Sequence, residues 1–256
     1  GARWYTNRMG FDCDNNLIFN PITERYQIIC RSSCQDRRIA IVESEDLIHW
    51  TDPLVILHPD TLDEPLLQFY SMTQYWHRDY FIGFMQRQHI ASSELSACKW
   101  LGKVDSELTY SFNGVHWNRT ERQPFIVCNE PARPGSQQLY TNSMIEQPDG
   151  HLRFYSMDYD VEHYAAESPE RVETNVTAVA HTLRRDGFVY LEPRGGYGTF
   201  ATRNLIPQNA QLTINMYAPN GFVWMQASDA RYQPIDGFSF DDFIPLSGDN
   251  TAAVPQ

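Results

Sequence analysis

The chain has 256 residues, of which 42% are hydrophobic and 20% charged, and its formal net charge is -12. This length is enough for one or two domains with a sizeable core. The acidic balance argues against nucleic acid and against an anionic membrane surface as partners, because basic patches bind both. No apolar run reaches the ~18 residues that a membrane helix needs. The charge is compatible with a neutral substrate.

The cysteines and the short motifs exclude several further classes of protein. Five cysteines cannot all pair, and none forms a CxxC or a Cys/His metal pattern. Reduced thiols are therefore expected, which favours a cytoplasmic over a secreted protein. The sequence contains no phosphate-binding loop, nucleophile elbow or zinc spacing. It predicts neither a metal nor an organic cofactor.

Short apolar runs bounded by turn residues predict strands throughout, and no helical period is visible. In the first unit the predicted strands are 17–19, 26–31 and 38–43, before a turn over 44–49 and a short fourth strand starting at Trp50. Two further units with the same texture follow. Their predicted strands are 67–72, 80–85 and 107–110, with a surface loop over 86–103, and then 138–145, 151–157 and 175–183, with a long acidic loop over 158–174.

One motif returns along the chain. The stretch from Ser44 to Trp50 has the same build as the stretch from Tyr110 to Trp117, and the two tryptophans are 67 residues apart. A looser copy covers 182–190. A supersecondary unit that repeats at this length indicates radial or linear repetition. Because His49 and Trp50 recur as His116 and Trp117, these residues are predicted to be structural.

The pattern of apolar and turn residues changes near Pro193. Residues 211–217 alternate with a period of 2, Asn220-Gly221 is a favoured hairpin turn, and a second strand is predicted over 222–226. This pattern predicts the start of an antiparallel β-sandwich. The predicted domains are therefore 1–193 and 194–256.

Three consecutive four-stranded units, each closed by a turn and an aromatic residue, resemble the blades of a β-propeller. The Ser-x-Asp-Leu-x-x-Trp motif at 44–50 resembles that of the five-bladed glycoside hydrolases, namely the fructosidases of family 32 and the arabinanases and xylosidases of family 43. Residues 212–243 resemble the β-sandwich that follows the propeller in the fructosidases. The resemblance implies an all-β fold, with a partial propeller followed by a partial sandwich.

The number of blades sets a further expectation. Propellers close with about four to eight blades, and the resemblance implies five, whereas three are recognisable. Either blades are missing on the N-terminal side, or the chain is a fragment of a longer protein. A third alternative is an assembly in which partner chains supply the other blades.

The resemblance implies that carboxylates project into a central funnel from the innermost strands. Cleavage of a glycosidic bond needs two carboxyl groups roughly 5–9 Å apart, one of them with a raised pKa. Asp12 and Asp14 lie just before the first strand, where alternation would put both on one face. Glu64, ahead of the second unit, is the third candidate. The alternative for the two aspartates is a turn-capping role.

Polar residues at the inner strands are candidates for substrate binding. Gln68 and Gln138 occupy equivalent places where a carboxylate is expected, and amides bind sugar hydroxyls but transfer no protons. Tyr70, Tyr140 and Asn142 are predicted to face the same funnel and to recognise sugar, or else to be packed strand residues.

Arg31, Arg37 and Arg38 form a basic cluster in a chain with few basic residues. They are predicted to bind a carboxylate or sulfate on a substrate, or to keep a catalytic Asp ionised, or to join adjacent loops. The leading hypothesis is a glycoside hydrolase that acts on a small glycoside or furanoside. The alternative is a non-catalytic carbohydrate-binding or interaction propeller.

Overall fold

The computed structural model describes residues 14–31, 36–90, 101–128, 136–163, 173–206 and 211–255. The regular secondary structure within these ranges consists of β-strands, so the predicted all-β class is confirmed. These residues contain no helix that is long and apolar enough to cross a membrane. They divide into two compact units, one within 1–145 and 153–181, the other within 146–152 and 182–256.

The strands are numbered in chain order. They are β1 (Asn16–Asn20), β2 (Arg25–Arg31), β3 (Ile39–Ser44), β4 (Leu54–Leu57), β5 (Leu67–His77), β6 (Tyr80–Ile90), β7 (Gly102–Ser111), β8 (Trp117–Ile126), β9 (Gln138–Glu146), β10 (Leu152–Tyr159), β11 (Val176–Leu183), β12 (Ile214–Val223) and β13 (Leu246–Ala253).

The first sheet is an antiparallel meander of β1, β2, β3 and β4 in that order. The prediction of a fourth strand at Trp50 is wrong, because β4 takes that place and pairs with β3. Its sequence, Leu-Val-Ile-Leu, supplies an apolar edge that matches the buried β3. Trp50 lies outside the strands and packs against buried Cys30, Ala40 and Val42.

The strands from β5 to β11 belong to one hydrogen-bonded sheet made of two meanders, β5-β6-β7-β8 and β9-β10-β11, which we call the second and third sheets. A single parallel pair, Val104 with Gln138, links β7 to β9. The predicted loop over 86–103 is corrected at both ends, since β6 continues to Ile90 and β7 starts at Gly102. Gln86 and Gln88 are both fully buried, and this polar stretch forms a strand because it pairs with β5 on one side and with β7 on the other.

The repeated motif has the same hydrogen bonds in both copies. The hydroxyl of Ser44 accepts the N–H groups two and three residues ahead at 3.2 and 2.9 Å, and Ser111 does so at 3.3 and 2.9 Å. The Oδ1 atoms of Asp46 and Asn113 likewise accept the N–H groups two and three residues ahead, at 2.8 and 2.7 Å and at 3.0 and 2.8 Å. The motif therefore connects the third strand to the fourth in the first and second sheets with one turn geometry, set by local side-chain caps.

The aromatic end of the motif is also repeated. Trp50 and Trp117 each donate the indole N–H to the carbonyl three residues earlier, at 3.3 and 3.1 Å. His49 and His116 contact the capping side chain of their own turn at 2.6 and 2.9 Å. Within both motifs the histidine and the tryptophan therefore stabilise their own turn.

Consecutive sheets pack face to face. Between the first and second sheets one apolar cluster joins Ile29 and Ile39 to Phe69, Met72 and Phe81. Between the second and third sheets, Phe154 lies 4.9 Å from Phe84 and 6.2 Å from Phe125, measured between ring centroids. This stacking of twisted meanders is the packing of propeller blades. The described sheets do not close a ring, so the blade count stays a prediction.

The first strands of the three sheets lie beside one another. Asn16 of β1 accepts the N–H of Gln74 on β5 at 2.9 Å. Thr73 of β5 donates its hydroxyl to the carbonyl of Thr141 on β9, also at 2.9 Å. Side chains that leave β1, β5 and β9 can therefore meet, which is the arrangement expected of innermost strands.

Among its described residues, the second compact unit contains one pair of antiparallel strands, β12 with β13, in which Met216 and Ala253 are buried. The predicted hairpin at Asn220-Gly221 is wrong, because β12 continues through it to Val223. The pairing register shifts between Ala218 and Val223, so the Asn-Gly pair lies in a bulge of β12. Two described strands do not make a sandwich, so that part of the fold stays a prediction.

Candidate functional site

Tyr70, on β5, lies at the centre of a polar cluster. Two guanidinium carbons lie over its ring, that of Arg31 at 4.6 Å and that of Arg37 at 5.0 Å from the ring centroid. Arg31 also donates to the Tyr70 carbonyl at 3.4 Å. Cation–π attraction of this kind fixes both side chains. The ring of Tyr70 thus positions two cationic groups, whereas its contact with sugar stays a prediction.

Two amide side chains, buried Gln88 and half-buried Gln68, hold Arg37 in place. Its Nη1 donates to Oε1 of Gln88 at 2.7 Å and to Oε1 of Gln68 at 3.3 Å. Gln88 Nε2 lies 3.2 Å from Nδ1 of His163, whose Nε2 is 3.1 Å from the Tyr70 hydroxyl oxygen. An amide N–H can only donate, so Nδ1 of His163 accepts and, in the neutral ring, Nε2 carries the proton.

The third sheet contributes Tyr140 and Gln138 from β9. Tyr140 meets Tyr70 edge to face at 5.4 Å and donates its hydroxyl to Gln138 at 2.8 Å. Gln138 donates in turn to the Val161 carbonyl at 2.7 Å. The oxygen and the nitrogen of the Gln138 side-chain amide thus both have protein partners. The Tyr70 cluster comprises Arg31, Arg37, Gln68, Tyr70, Gln88, Gln138, Tyr140 and His163.

Two of the predicted binding residues have other surroundings. Arg38 forms an ion pair with Asp36 at 2.9 Å, on partly exposed side chains. Asn142 lies two residues beyond Tyr140 on β9, and its side chain is exposed. The structure therefore brings five of the seven predicted binding residues into the Tyr70 cluster. A role in binding is a prediction for all seven.

Asp14 contacts β5 at Ser71, the residue that follows Tyr70. Oγ of Ser71 is 2.9 Å from Oδ2 of Asp14 and 2.8 Å from Oε1 of Gln86. A hydroxyl has one proton, so Ser71 donates to one of these two acceptors at a time. Asp14 has a φ of 57°, in the left-handed region, so the strand alternation predicted for Asp12 and Asp14 does not extend back to Asp14. Asp12 lies outside the described residues.

Glu64, the third catalytic candidate, belongs to a different group of side chains, the ion network. Its Oε1 contacts Nδ1 of His89, whose Nε2 lies 2.9 Å from Asp105. Arg87 binds Asp105 with two hydrogen bonds of 2.8 Å. The ion network comprises Asp60, Asp63, Glu64, Arg87, His89, Asp105, Glu107, Arg119 and Arg122.

The centre of the ion network is buried. Glu107, on β7, is 0% exposed and accepts two hydrogen bonds of 2.7 Å from Arg119 on β8. Arg119 also binds both oxygens of Asp63, at 2.6 and 2.7 Å. These contacts attach the connection before β5 to the outer strands of the second sheet. Glu64 therefore lies at the edge of a structural network.

The ion network predicts a pH dependence of stability through His89. Burial lowers the pKa of His89, but hydrogen bonds and charges from Asp105 and Glu64 outweigh burial and raise the pKa overall. The folded state thus binds this proton more tightly than the unfolded state, in which the pKa is about 6.5. The stabilisation is complete below that value and is lost as the pH rises through the folded pKa.

A His89→Gln variant tests this dependence. We expect urea unfolding between pH 6 and pH 9 to show a decline in stability with pH that is shallower in the variant than in the wild type. Equal slopes in the two proteins would show that His89 does not contribute.

No family model and no curated protein sequence matches the chain. An N-acetylgalactosamine deacetylase from F. plautii is similar in structure at 14% identity and a TM-score of 0.48, over 66% of this chain and 49% of that one. An endo-arabinase from Bacteroides thetaiotaomicron has 11% identity and a TM-score of 0.46, over 68% of this chain and 50% of that one. The chain spans about half the length of both proteins.

A thermostable family-43 glycoside hydrolase matches over a larger share. It is 12% identical with a TM-score of 0.48, over 98% of this chain and 77% of that one. What this chain does is inferred from its own residues.

Proposed function

We propose that the chain handles carbohydrate where β1, β5 and β9 lie side by side, as part of a glycoside hydrolase-like propeller protein. The Tyr70 cluster would bind the sugar, and Asp14 would supply one carboxylate for cleavage of a small glycoside or furanoside. Amides, tyrosine hydroxyls and guanidinium groups are donors and acceptors suited to sugar hydroxyls.

One observation carries this proposal, namely the contact of Asp14 with β5 at the residue that follows Tyr70. Its carboxylate is 2.9 Å from the hydroxyl of Ser71, the residue that follows Tyr70 on β5. A glycan seated against the cluster would therefore lie within reach of a carboxylate. Asp14 can act there as nucleophile, as base, or as a charge that stabilises an oxocarbenium-like transition state.

Cleavage also needs a second carboxyl group across the glycosidic bond. Asp12, two residues before Asp14, and Glu64 are the candidates. Glu64 has the weaker claim, since its carboxylate is hydrogen-bonded to His89 in the ion network.

The second candidate function is carbohydrate binding without cleavage. It is favoured by Gln68 and Gln138, which occupy inner-strand places where a hydrolase of this type is expected to have a carboxylate. The two candidates predict the same bound sugars but differ in turnover.

A screen with aryl-furanosides and fructans tests the proposal. Binding is measured by calorimetry, and cleavage by release of the aryl group or of reducing sugar. Binding with turnover supports the hydrolase, and binding without turnover supports the binding protein. If no sugar binds and none is cleaved, both candidates are rejected.

An assembly with partner chains is also proposed, on the ground that the recognisable sheets are fewer than a propeller needs. Light scattering tests it, because a clean monomer would exclude a stable assembly.

A further inference from the structure

We propose that Ser71 is a positioning residue, and that its hydroxyl holds the Asp14 carboxyl in one orientation both with and without a proton. This inference rests on the proposed cleavage of a glycoside and deepens it. A carboxyl group that acts as a base gains a proton during the reaction, and it has to stay in place while it does so.

The hydroxyl of Ser71 binds one of the two carboxyl oxygens of Asp14. Its Oγ is 2.9 Å from Oδ2 of Asp14. Ser71 is only 5% exposed, whereas Asp14 is half-buried. Among the described residues, Oδ1 of Asp14 has no hydrogen-bond partner. Oδ2 is thus held by the protein, and Oδ1 is the oxygen left for the sugar.

The backbone of Asp14 makes such a contact necessary. Asp14 lies two residues before β1, whose pairing with β2 starts at Asn16. Its φ of 57° lies in the left-handed region, where a residue other than glycine persists because its surroundings hold it. The bond from Ser71 joins residues 57 positions apart, so it is a tertiary contact that fixes the Asp14 side chain.

Gln86 fixes the Ser71 hydroxyl in turn. Gln86, on β6, is fully buried, and its Nε2 donates to the carbonyl of Thr141 on β9 at 3.3 Å. This bond directs Oε1 of Gln86 toward Oγ of Ser71, at 2.8 Å. An amide oxygen accepts and never donates. Ser71 therefore lies between two acceptors, the carboxyl group of Asp14 and the amide oxygen of Gln86.

This arrangement suits both forms of Asp14. The ionised carboxylate only accepts, so Ser71 donates to it. When Oδ2 carries a proton, it donates to Ser71, and the Ser71 hydroxyl turns to donate to Gln86. The change requires the rotation of one hydroxyl and no movement of a heavy atom. Ser71 thus keeps its bond to Asp14 while Asp14 gains and loses a proton.

A Ser71→Ala variant tests the inference. We expect kcat for hydrolysis of an aryl arabinofuranoside or of inulin to fall by about 10- to 100-fold, the effect of one hydrogen bond to a charged group. KM should stay nearly unchanged, because Ser71 is covered and acts on the sugar only through Asp14. A loss confined to kcat separates the positioning of the carboxyl from the binding of the sugar.

Thr73→Val is the matched control. Thr73 lies two residues further along β5, is also 5% exposed, and donates its hydroxyl to the carbonyl of Thr141 at 2.9 Å. Its replacement removes a buried hydroxyl from the same strand but leaves the bond between Ser71 and Asp14 intact. We expect a loss of stability in urea unfolding similar to that of Ser71→Ala, and an unchanged kcat.

Ser71→Thr is the second variant. It keeps a hydroxyl on the same side-chain carbon, so it should retain most of the turnover that Ser71→Ala loses. A folded Ser71→Thr that is as slow as Ser71→Ala would overturn the inference. Full turnover in Ser71→Ala, a change in KM alone, or an equal loss of kcat in Ser71→Ala and Thr73→Val would also overturn it. Those outcomes leave the proposed cleavage in place. If the wild type cleaves neither substrate, the proposed cleavage of these substrates fails and the inference is overturned with it.

Discussion

Replacing Arg119 with methionine should destabilise the protein by about 3–5 kcal/mol, the cost of removing one partner of a buried ion pair. Glu107 is fully buried and would lose two hydrogen bonds of 2.7 Å, retaining Arg87 at 3.3 Å as its cationic partner in the ion network. Asp63 would lose its two hydrogen bonds from Arg119 at the same time, and it would retain Arg122 at 3.3 Å. Urea unfolding followed by tryptophan fluorescence measures the difference.

Arg122→Met is the control within the same network. Its side chain is 32% exposed and pairs at 2.7 Å with Asp60, whose side chain is 40% exposed, while its contact with buried Asp63 is longer, at 3.3 Å. Partly exposed pairs of this kind contribute about 0–1 kcal/mol. If the two variants lose equal stability, burial does not determine the strength of this network.

Asp14→Asn is expected to lower glycoside cleavage by about 10²- to 10⁴-fold, the usual contribution of a positioned acid or base. Asparagine has nearly the same shape and keeps an oxygen that accepts from Ser71, so the fold and sugar binding should survive. It has no carboxylate to attack, to take a proton or to stabilise positive charge. Turnover of the substrate found in the screen, measured beside the circular dichroism spectrum, gives the result.

Asp79→Asn is the control for this substitution. Asp79 is exposed in the turn between β5 and β6, at the far end of β5 from Gln68 and Tyr70, so its replacement should leave turnover unchanged. Undiminished turnover in Asp14→Asn would reject Asp14 as the carboxylate. A loss of binding as great as the loss of turnover would instead show that Asp14 acts by holding the sugar.

The features that sequence could predict are those fixed by short-range contacts. The turns that end at Trp50 and Trp117 are set by side chains that cap N–H groups two and three residues away, so their repetition is visible in the sequence. Strand pairing is a longer-range property. For that reason the fourth strand of the first sheet was misplaced, and the Asn220-Gly221 pair was taken for a hairpin although β13 draws it into a bulge.

The candidate site divides in the same way. Gln68, Tyr70, Gln138 and Tyr140 could be named because equivalent strands of successive units should bring equivalent residues together. Gln88 and His163 were missed because their contacts join residues 51, 75 and 93 positions apart. The available signal was the spacing of Gln86 and Gln88, which are two residues apart, as are residues on one face of a strand. Because the stretch is polar, the sequence predicts a loop there instead.

The ion network was not predicted either. Its acidic and basic residues are spread from Asp60 to Arg122, and only the pairing of β6, β7 and β8 brings them together. This is why Glu64, isolated in the sequence, was read as a catalytic candidate, whereas the structure places it against His89.

A crystal structure of the protein with the glycan that binds most tightly in titration tests the central claim most directly. We predict a sugar ring seated where β1, β5 and β9 adjoin, with a hydrogen bond to Arg31 or Gln68 and with Asp14 beside its glycosidic oxygen. A glycan held by other residues, touching neither Asp14 nor any member of the Tyr70 cluster, would contradict it.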